Sequence, residues 1–310
     1  MNVAEPPPAS KRGGGRVCVF ADLPELVTFT ADVERSPTDP TGRRHGPATR
    51  RMLDLLDETG ARGTFFVLGE VADSMPGLVR EIAARGHEVA SHGQRHLPLE
   101  ALSPALLREE ASRARRVLED LTGAAVTGFR APYFSLTAET EWAPDALAEA
   151  GYAYSSSVLP AQCFLHGHAG VPARPFAWPC GLLELPVPVA RIWGHRVPML
   201  GGMYLRYLPP FDVPIMIRRL EGPLVWTYCH PYDLDTEEPF TWDREIGLTR
   251  SLFLRMNRRI TLRRLRALHA GRLSIPLAER LAEARAHAGG GAPAPQSNGS
   301  AEEATVVSEL

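Results

Sequence analysis

Two histidines stand four residues apart, at His92 and His96, directly after the short apolar run 88–90. Four-residue spacing on a helical turn would aim both imidazole rings at one point, where they can bind the same divalent cation. The apolar run predicts a buried strand, and strand ends are where sheets that alternate with helices place their chemistry. A solvated polar turn would also explain an isolated pair of histidines. The interpretation therefore depends on what the other strand ends carry.

Three further apolar runs also end in ionisable side chains. They are 26–30 before Asp32 and Glu34, 126–129 before Arg130, and 224–229 before His230. Independent surface residues would rarely follow four strands at the same end, so we predict one shared site. Imidazoles, a carboxylate and a further histidine are the components of a metal-dependent hydrolase.

The composition excludes several other classes of function. The chain has 310 residues, of which 44% are hydrophobic and 23% charged, and its formal net charge is −2. This charge argues against a nucleic-acid-binding surface. The only lysine is Lys11, which argues against Schiff-base chemistry and a lysine-anchored cofactor. The four cysteines have no Cys-x-x-Cys spacing, so neither a disulfide framework nor a zinc cage is expected.

The ends of the chain differ in composition from its middle. Residues 1–15 and 289–310 are rich in Gly, Pro, Ala and Ser, which predicts flexible tails around a catalytic domain over 16–288. No segment approaches 18 consecutive apolar residues, and the first residues lack the pattern of a secretory signal. We therefore expect no membrane span and a cytoplasmic location.

Between these tails, strand patterns alternate with helical patterns, which predicts an α/β fold with a mostly parallel sheet. The predicted helices are 49–59, 76–85, 104–122, 137–150 and 250–268. The last of these is Arg-rich and amphipathic, with apolar residues such as Leu252 and Met256 expected to face inward. Residues 158–215 are rich in Pro and Gly, and we expect loops and short strands there that set substrate specificity.

Taken together, the motifs resemble those of the polysaccharide deacetylase family, also called the NodB-homology carbohydrate esterases. In chain order they are Asp-Val-Glu at 32–34, Ala-Arg-Gly-Thr-Phe-Phe-Val-Leu-Gly at 61–69, Ser-His-Gly-Gln-Arg-His at 91–96, Gly-Phe-Arg-Ala-Pro-Tyr-Phe-Ser at 128–135, Gly-Gly-Met-Tyr-Leu-Arg-Tyr-Leu-Pro at 201–209, and Tyr-Cys-His-Pro at 228–231. The chain looks closest to the branch whose first motif reads Asp-Val-Glu-Asp and whose members often accompany exopolysaccharide export.

The resemblance implies a single-domain, irregular TIM-like (β/α)7 barrel with its site at the carboxyl ends of the strands. It casts Asp32 as general base, His230 as general acid, and Arg130 as the partner that orients and charge-balances Asp32. It makes His92 and His96 metal ligands, with a third ligand from the first motif. The ion is expected to be Zn²⁺, with Co²⁺ or Ni²⁺ as alternatives.

Two positions depart from the pattern of the relatives. Arg35 stands where they have a second aspartate, so we choose Glu34 as third ligand, because alternation along an extended segment puts it on the same side as Asp32. Asp22 and Asp39 are the alternatives. Ser155 replaces another aspartate of the relatives and removes a negative charge.

Four other residues have expected places around this site. Tyr133 is expected to offer a backbone amide to the oxyanion, and Arg206 to bind an anionic or hydroxylated group of the substrate. His166 and His168 lie in a Gly-flanked loop and are either surface residues or substrate contacts, of which we expect the former.

The leading hypothesis is a metal-dependent hydrolase that removes an N-acetyl group from an amino sugar. Its substrate would be a cytoplasmic glycan precursor or a sugar-bearing small molecule, and the state of oligomerisation stays open. Two alternatives remain open. The first is hydrolysis of a non-sugar amide or ring C–N bond, or a redirected non-hydrolytic reaction. The second is a binding protein with a decayed site.

Overall fold

The structure of the protein is a computed structural model. The structure describes residues 23–37, 39, 42–162, 166–209, 212–240 and 247–288. The predicted tails 1–15 and 289–310 lie outside the described residues, as do Asp22, Cys18 and Cys163. The boundaries proposed for the domain therefore stay a prediction.

Eleven strands occur in the described residues. They are β1 (Thr28–Val33), β2 (Gly63–Val67), β3 (Glu88–Ser91), β4 (Gly128–Phe129), β5 (Tyr154–Ser155), β6 (Phe176–Ala177), β7 (Leu183–Glu184), β8 (Val189–Ile192), β9 (His195–Pro198), β10 (Leu220–Glu221) and β11 (Trp226–Cys229). Eight of them form one sheet in the order β11-β1-β2-β3-β4-β5-β7-β6. Its pairs are parallel except β6 with β7. The other three form an antiparallel sheet in the order β10-β8-β9.

Eleven α-helices accompany these strands. They are α1 (His45–Thr59), α2 (Gly69–Ser74), α3 (Pro76–Ala84), α4 (Pro104–Thr122), α5 (Ala143–Glu149), α6 (Gly202–Tyr207), α7 (Asp212–Ile217), α8 (Pro231–Leu234), α9 (Leu248–Arg255), α10 (Arg258–His269) and α11 (Leu281–His287). Both ends of α4 are capped: the Ser103 hydroxyl accepts a hydrogen bond from the Leu106 N–H, and Gly123 takes the left-handed conformation at φ 68°. Among the described helices, none combines the length and the apolar character needed to cross a bilayer.

The expected mixed α/β fold is confirmed, and the large sheet is a curled half-barrel. Its edge strands, β11 and β6, do not pair with each other in the described part of the chain. Strand β1 is buried at all six positions, and its Phe29 packs against Phe65 of β2 with ring centroids 5.9 Å apart. Because seven strands run parallel, their carboxyl ends all meet at one edge of the sheet.

The Arg-rich segment departs from its prediction as one continuous helix. It forms two helices, α9 and α10, with a break at Asn257, whose φ of 62° is left-handed. A left-handed residue cannot continue a right-handed helix. The direction in which α9 faces is therefore independent of that of α10. Leu252 and Met256, expected to face inward, are 42% and 52% exposed. The predicted helix 137–150 is also shorter, with a 3₁₀ turn at Ala138–Thr140 before α5.

One buried histidine of the core links the stability of this fold to pH. Burial lowers the pKa of His269 from its ordinary value of 6.5 to about 3, and neither of its ring nitrogens has a hydrogen-bond partner. The folded state keeps this ring neutral, so its contribution is complete above pH 6.5 and is lost as pH falls below that value. Each pH unit below 6.5 costs about 1.4 kcal/mol, which gives about 2 kcal/mol at pH 5.

We therefore predict that His269→Leu weakens the pH dependence of unfolding. Between pH 7.5 and 5, the free energy of unfolding should fall by about 2 kcal/mol less than in the wild type. Urea unfolding at both pH values measures this difference. The same replacement at His195, an exposed histidine, serves as the control and should leave the slope unchanged. An unaltered slope in His269→Leu would contradict the prediction.

Candidate metal centre and active site

The carboxyl ends of four strands of the large sheet bring the predicted residues together. Asp32 lies in β1, while His92, Arg130 and His230 directly follow β3, β4 and β11. Backbone bonds extend the sheet register through these ends: the His92 N–H donates to the Val67 carbonyl and the Arg130 N–H to the Ser91 carbonyl, both at 2.9 Å. The shared site expected from the sequence is therefore present.

Glu34, His92 and His96 form a cluster with the donor chemistry of a metal centre. One ligand atom from each lies within 4.8 Å of the others. His92 Nε2 is 3.7 Å from Glu34 Oε2, and His96 Nε2 contacts the same oxygen. His92 Nδ1–H donates to the Arg130 carbonyl at 2.8 Å, which leaves Nε2 as the free donor atom facing Glu34. Two imidazole nitrogens and one carboxylate fit a zinc-type ion.

The backbone that joins the two histidines is not the helical turn that their spacing suggested. Residues 92–96 form bends outside any helix, and Gly93 takes a φ of 86°. The Gly93 N–H donates to the Ser91 hydroxyl at 3.2 Å. A left-handed residue reverses the chain after His92, so that His96 returns to the cluster with its ring centroid 5.4 Å from that of His92.

The environment of Glu34 keeps its carboxylate ionised. Burial by itself would raise its pKa, but the charge of His230 and hydrogen bonds with His92 and His96 outweigh burial and place the pKa well below its usual range. The Tyr232 hydroxyl donates to Glu34 Oε1 at 3.3 Å. Glu34 therefore presents a charged oxygen to the two histidines, as a metal ligand must.

Asp32 and Arg130 form a buried ion pair beside this cluster. Arg130 Nη1 lies 2.6 Å from Asp32 Oδ1, and the Arg130 side chain is completely buried. Its other hydrogen bonds go to the Thr30 hydroxyl, the Ser156 hydroxyl and the Ser156 carbonyl. The guanidinium carbon also lies 3.9 Å and 4.7 Å from the ring centroids of Phe66 and Trp226. Arg130 is therefore held rigidly, and it orients one oxygen of Asp32.

His230 occupies the opposite side of the cluster and is held by Asp233. His230 Nδ1–H donates to Asp233 Oδ2 at 3.1 Å, and Arg206 contacts the other oxygen of Asp233. His230 Nε2 lies 3.9 Å from Glu34 Oε1. Burial would lower the pKa of His230, but the charges of Glu34 and Asp233 prevail and raise it to about 9. The ring is thus held as a cation that can donate a proton from Nε2.

A cavity of about 190 Å³ opens beside His230 and is lined largely by aromatic rings. The ring-bearing residues among its lining are Tyr133, His166, Tyr204, Tyr228, His230, Tyr232 and Phe253. Tyr133 takes a φ of 61°, and its ring meets His96 edge-on with centroids 4.5 Å apart. Aromatic faces together with phenol hydroxyl groups suit a ring-shaped, hydroxylated ligand.

Arg206, expected to bind substrate, lies at this cavity, but its contacts are internal. It is 3% exposed and bonds Asp233 and the Leu254 carbonyl. With these contacts Arg206 positions Asp233. Direct binding of substrate by Arg206 stays a prediction. His166 lines the cavity and bonds Glu100, whereas His168 is buried on Glu141, so the expectation that His168 lies at the surface is wrong.

The surroundings differ between the alternative ligand Asp39 and the two positions that depart from the relatives, Arg35 and Ser155. Asp39 Oδ2 accepts the Arg44 N–H at 2.9 Å, which gives it a structural contact before α1, and Arg35 is exposed. The Ser155 hydroxyl donates to Ser157, whose oxygen accepts the Ala131 N–H, both at 2.8 Å. Ser155 thus supports the loop after Arg130 without adding charge to the site.

Tyr232 is the site residue that the sequence analysis did not single out. Its ring stacks on that of His230 with centroids 4.7 Å apart and planes 6° apart, while its hydroxyl reaches Glu34. The only signal in the sequence is its place two residues after His230, in the run His-Pro-Tyr-Asp. That run forms a capping box at the start of α8, which brings Tyr232 under the histidine ring.

Two segments of the chain match known family models. Residues 39–155 match the family model described as polysaccharide deacetylase. This part of the chain is similar to the polysaccharide deacetylase family. Residues 156–274 match a second model, described as a domain of unknown function (DUF3473). The polysaccharide deacetylase segment contains His92, His96 and Arg130, and the second segment contains His230.

The relatives of the polysaccharide deacetylase segment are deacetylases by name. A peptidoglycan-N-acetylglucosamine deacetylase from Bacillus cereus is 32% identical over 98 residues, which are 31% of this chain and 36% of the relative. A chitooligosaccharide deacetylase from a Bradyrhizobium species is 33% identical over 111 residues, 36% of this chain and 48% of the relative. The chain thus spans less than half the length of these relatives.

One solved structure shares the fold over most of the chain. It is that of a candidate polysaccharide deacetylase from Mycobacterium smegmatis, with a TM-score of 0.57 at 23% identity, covering 84% of this chain and 90% of that one. The similarity includes the part of the chain after residue 155. The two proteins therefore share the half-barrel fold.

Proposed function

We propose that this protein is a metal-dependent hydrolase that removes the N-acetyl group from an amino sugar. The observation that carries the proposal is the convergence of Glu34, His92 and His96 beside the Asp32–Arg130 pair, with His230 facing them. A metal centre flanked by one carboxylate and one histidine is the arrangement that hydrolysis of an amide needs. The names of the relatives favour an N-acetylated sugar as substrate.

Glu34, His92 and His96 would hold the ion, for which we propose Zn²⁺, with Co²⁺ or Ni²⁺ as alternatives. When bound, such an ion lowers the pKa of a water molecule and polarises the amide carbonyl. Two imidazoles and one carboxylate leave a coordination position open for that water.

The chain's own residues would move the protons. Asp32, oriented by Arg130, accepts a proton from the attacking water, since its second oxygen is not engaged by the guanidinium contact. His230 donates a proton from Nε2 to the leaving nitrogen, because an unprotonated amine anion is a very poor leaving group. The Tyr133 backbone amide is proposed to stabilise the charge on the carbonyl oxygen.

For the substrate we propose a glycan precursor or sugar-bearing small molecule that the protein meets in the cytoplasm. The aromatic cavity beside His230 supports a single sugar ring as the bound unit. A place in the branch associated with exopolysaccharide export belongs to the same proposal, since the first motif reads Asp-Val-Glu.

Acetate release from N-acetylated amino sugars tests the proposed activity. We expect release by the metal-loaded protein, loss of release with a chelator, and recovery on addition of Zn²⁺. Release that is indifferent to the chelator would exclude the metal mechanism. If another amide gives a different product and no acetate is released, the alternative is favoured in which the protein hydrolyses a non-sugar amide or ring C–N bond.

Tyr232 allows a test of how the metal ligand is supported. Tyr232→Phe removes the hydroxyl that donates to Glu34 but keeps the ring stacked on His230. We predict a metal affinity weaker by about tenfold, since groups that hold a ligand in place contribute 10–100-fold. Competition with a chromophoric chelator measures it. Tyr232→Leu removes both contacts and should lower kcat as well. Equal metal affinity in Tyr232→Phe and wild type would show that the hydroxyl does not support Glu34.

A further inference from the structure

Three arginines surround one cavity at the junction of α9 and α10, away from the metal cluster. The cavity has a volume of about 380 Å³ and is lined by Thr236, Arg255, Asn257, Arg258, Arg259 and Ile260. No carboxylate lines it among the residues that the structure describes. The lining therefore carries three positive charges and a hydroxyl group.

Two of these guanidinium groups have buried nitrogens without a hydrogen-bond partner. Arg258 is 2% exposed and Glu238 neutralises it through Nη1, yet its Nη2 is buried and unpaired. The Nε of Arg255 is also buried and unpaired. Leaving a buried donor unsatisfied is unfavourable, so a group that accepts hydrogen bonds here is favoured.

The backbone adds further donors at the same cavity. Asn257 turns the chain at φ 62°, and α10 begins with Arg258, whose first turn has no side-chain cap. The N–H groups at the start of a twelve-residue helix, such as α10, point outward with a partial positive charge. Guanidinium groups and helix N-termini both favour tetrahedral anions.

We propose that the α9–α10 junction binds a phosphoryl group. After Glu238 neutralises Arg258, Arg255 and Arg259 leave two positive charges, which match the charge of a phosphate near neutral pH. Charge-assisted hydrogen bonds from arginine to phosphate are among the strongest that a protein makes. The match of charge and donor geometry is what distinguishes this junction from an ordinary Arg-rich helix face.

The position of the junction connects it to the proposed reaction. Leu254 lines the cavity beside His230, and its chain neighbour Arg255 lines the arginine cavity. Arg206, which holds Asp233, also bonds the Leu254 carbonyl at 2.7 Å. A phosphoryl group bound at the junction would therefore lie beside the sugar-binding cavity. If the substrate carries that group, which rests on the proposed function, it is a phosphorylated N-acetylated amino sugar.

Calorimetric titration of inorganic phosphate into the full-length protein tests the binding site. We expect binding to weaken about tenfold in Arg255→Gln and in Arg259→Gln, because each removes a charge-assisted contact. Arg263→Gln, an exposed arginine further along α10, is the matched control and should bind as the wild type does. His92→Ala should also bind normally, which separates the junction from the metal centre. Binding that is unchanged in both arginine variants, or lost in His92→Ala, overturns the proposal.

A second measurement identifies the source of the phosphoryl group. If the substrate carries it, kcat/KM for an N-acetylhexosamine phosphate should exceed that of the unphosphorylated sugar by about tenfold, and Arg259→Gln should abolish the difference. If the group is a free phosphate, inorganic phosphate binds at the arginines while the two sugars react equally. The second result keeps the binding site and rejects the phosphorylated substrate. Because the titration needs no turnover, it stands even if deacetylation is not found.

Discussion

Asp32→Asn is expected to lower kcat/KM for N-deacetylation by about 10²–10⁴-fold, the range that general acid–base catalysis contributes. The asparagine amide cannot accept the proton of the attacking water, although it occupies the same space. Asp32 does not belong to the cluster of potential metal ligands, so bound metal should be retained. Acetate release and metal content, measured on the same preparation, check both parts of the prediction.

The same change also removes the charge that balances Arg130. Arg130 is completely buried, and breaking one side of a buried ion pair costs about 3–5 kcal/mol. A lower Tm is therefore expected, and activity should be measured well below it. Asp235→Asn is the matched control, because Asp235 is a buried aspartate that pairs with Arg44. Near-normal turnover in folded Asp32→Asn would remove Asp32 as the base.

Glu34→Gln is expected to weaken metal binding by at least about 100-fold, since changes in groups that merely support a ligand already cost 10–100-fold. Glutamine keeps the shape but loses the negative charge that offsets a divalent cation. The contacts of Glu34 with His92 and His96 make it the carboxylate of the cluster. Equilibrium dialysis against Zn²⁺ measures the loss, and acetate release should fall with it.

Asp39→Asn is the control for this prediction, because Asp39 was the alternative ligand from the same part of the chain. Its carboxylate accepts the Arg44 N–H, so the change should leave metal binding intact. Should Asp39→Asn lose the metal and Glu34→Gln keep it, the assignment of the third ligand would have to be reversed.

Local sequence patterns were enough to predict the mixed α/β fold and the position of the site. Apolar runs of strand length determine which segments enter the sheet, and parallel strands necessarily present their carboxyl ends at one edge. Asp32, His92, Arg130 and His230 could thus be assigned to one site from sequence alone. His96 does converge with His92, as predicted. The cause is the left-handed Gly93 and not the helical turn that the spacing suggested.

Other features depended on contacts between segments far apart in the chain. Alternation favoured Glu34 among the candidate third ligands, but its contacts with His92 and His96 are formed only in the folded chain, and Tyr232 reaches Glu34 through a hydrogen bond across 198 positions. The curvature that leaves the sheet a half-barrel, and the break at Asn257 that forms the arginine cavity, were equally absent from the sequence patterns. The hydrophobic periodicity of a helix or strand predicts which of its faces is buried. The partner of each buried or charged group is determined by the packing of the whole chain.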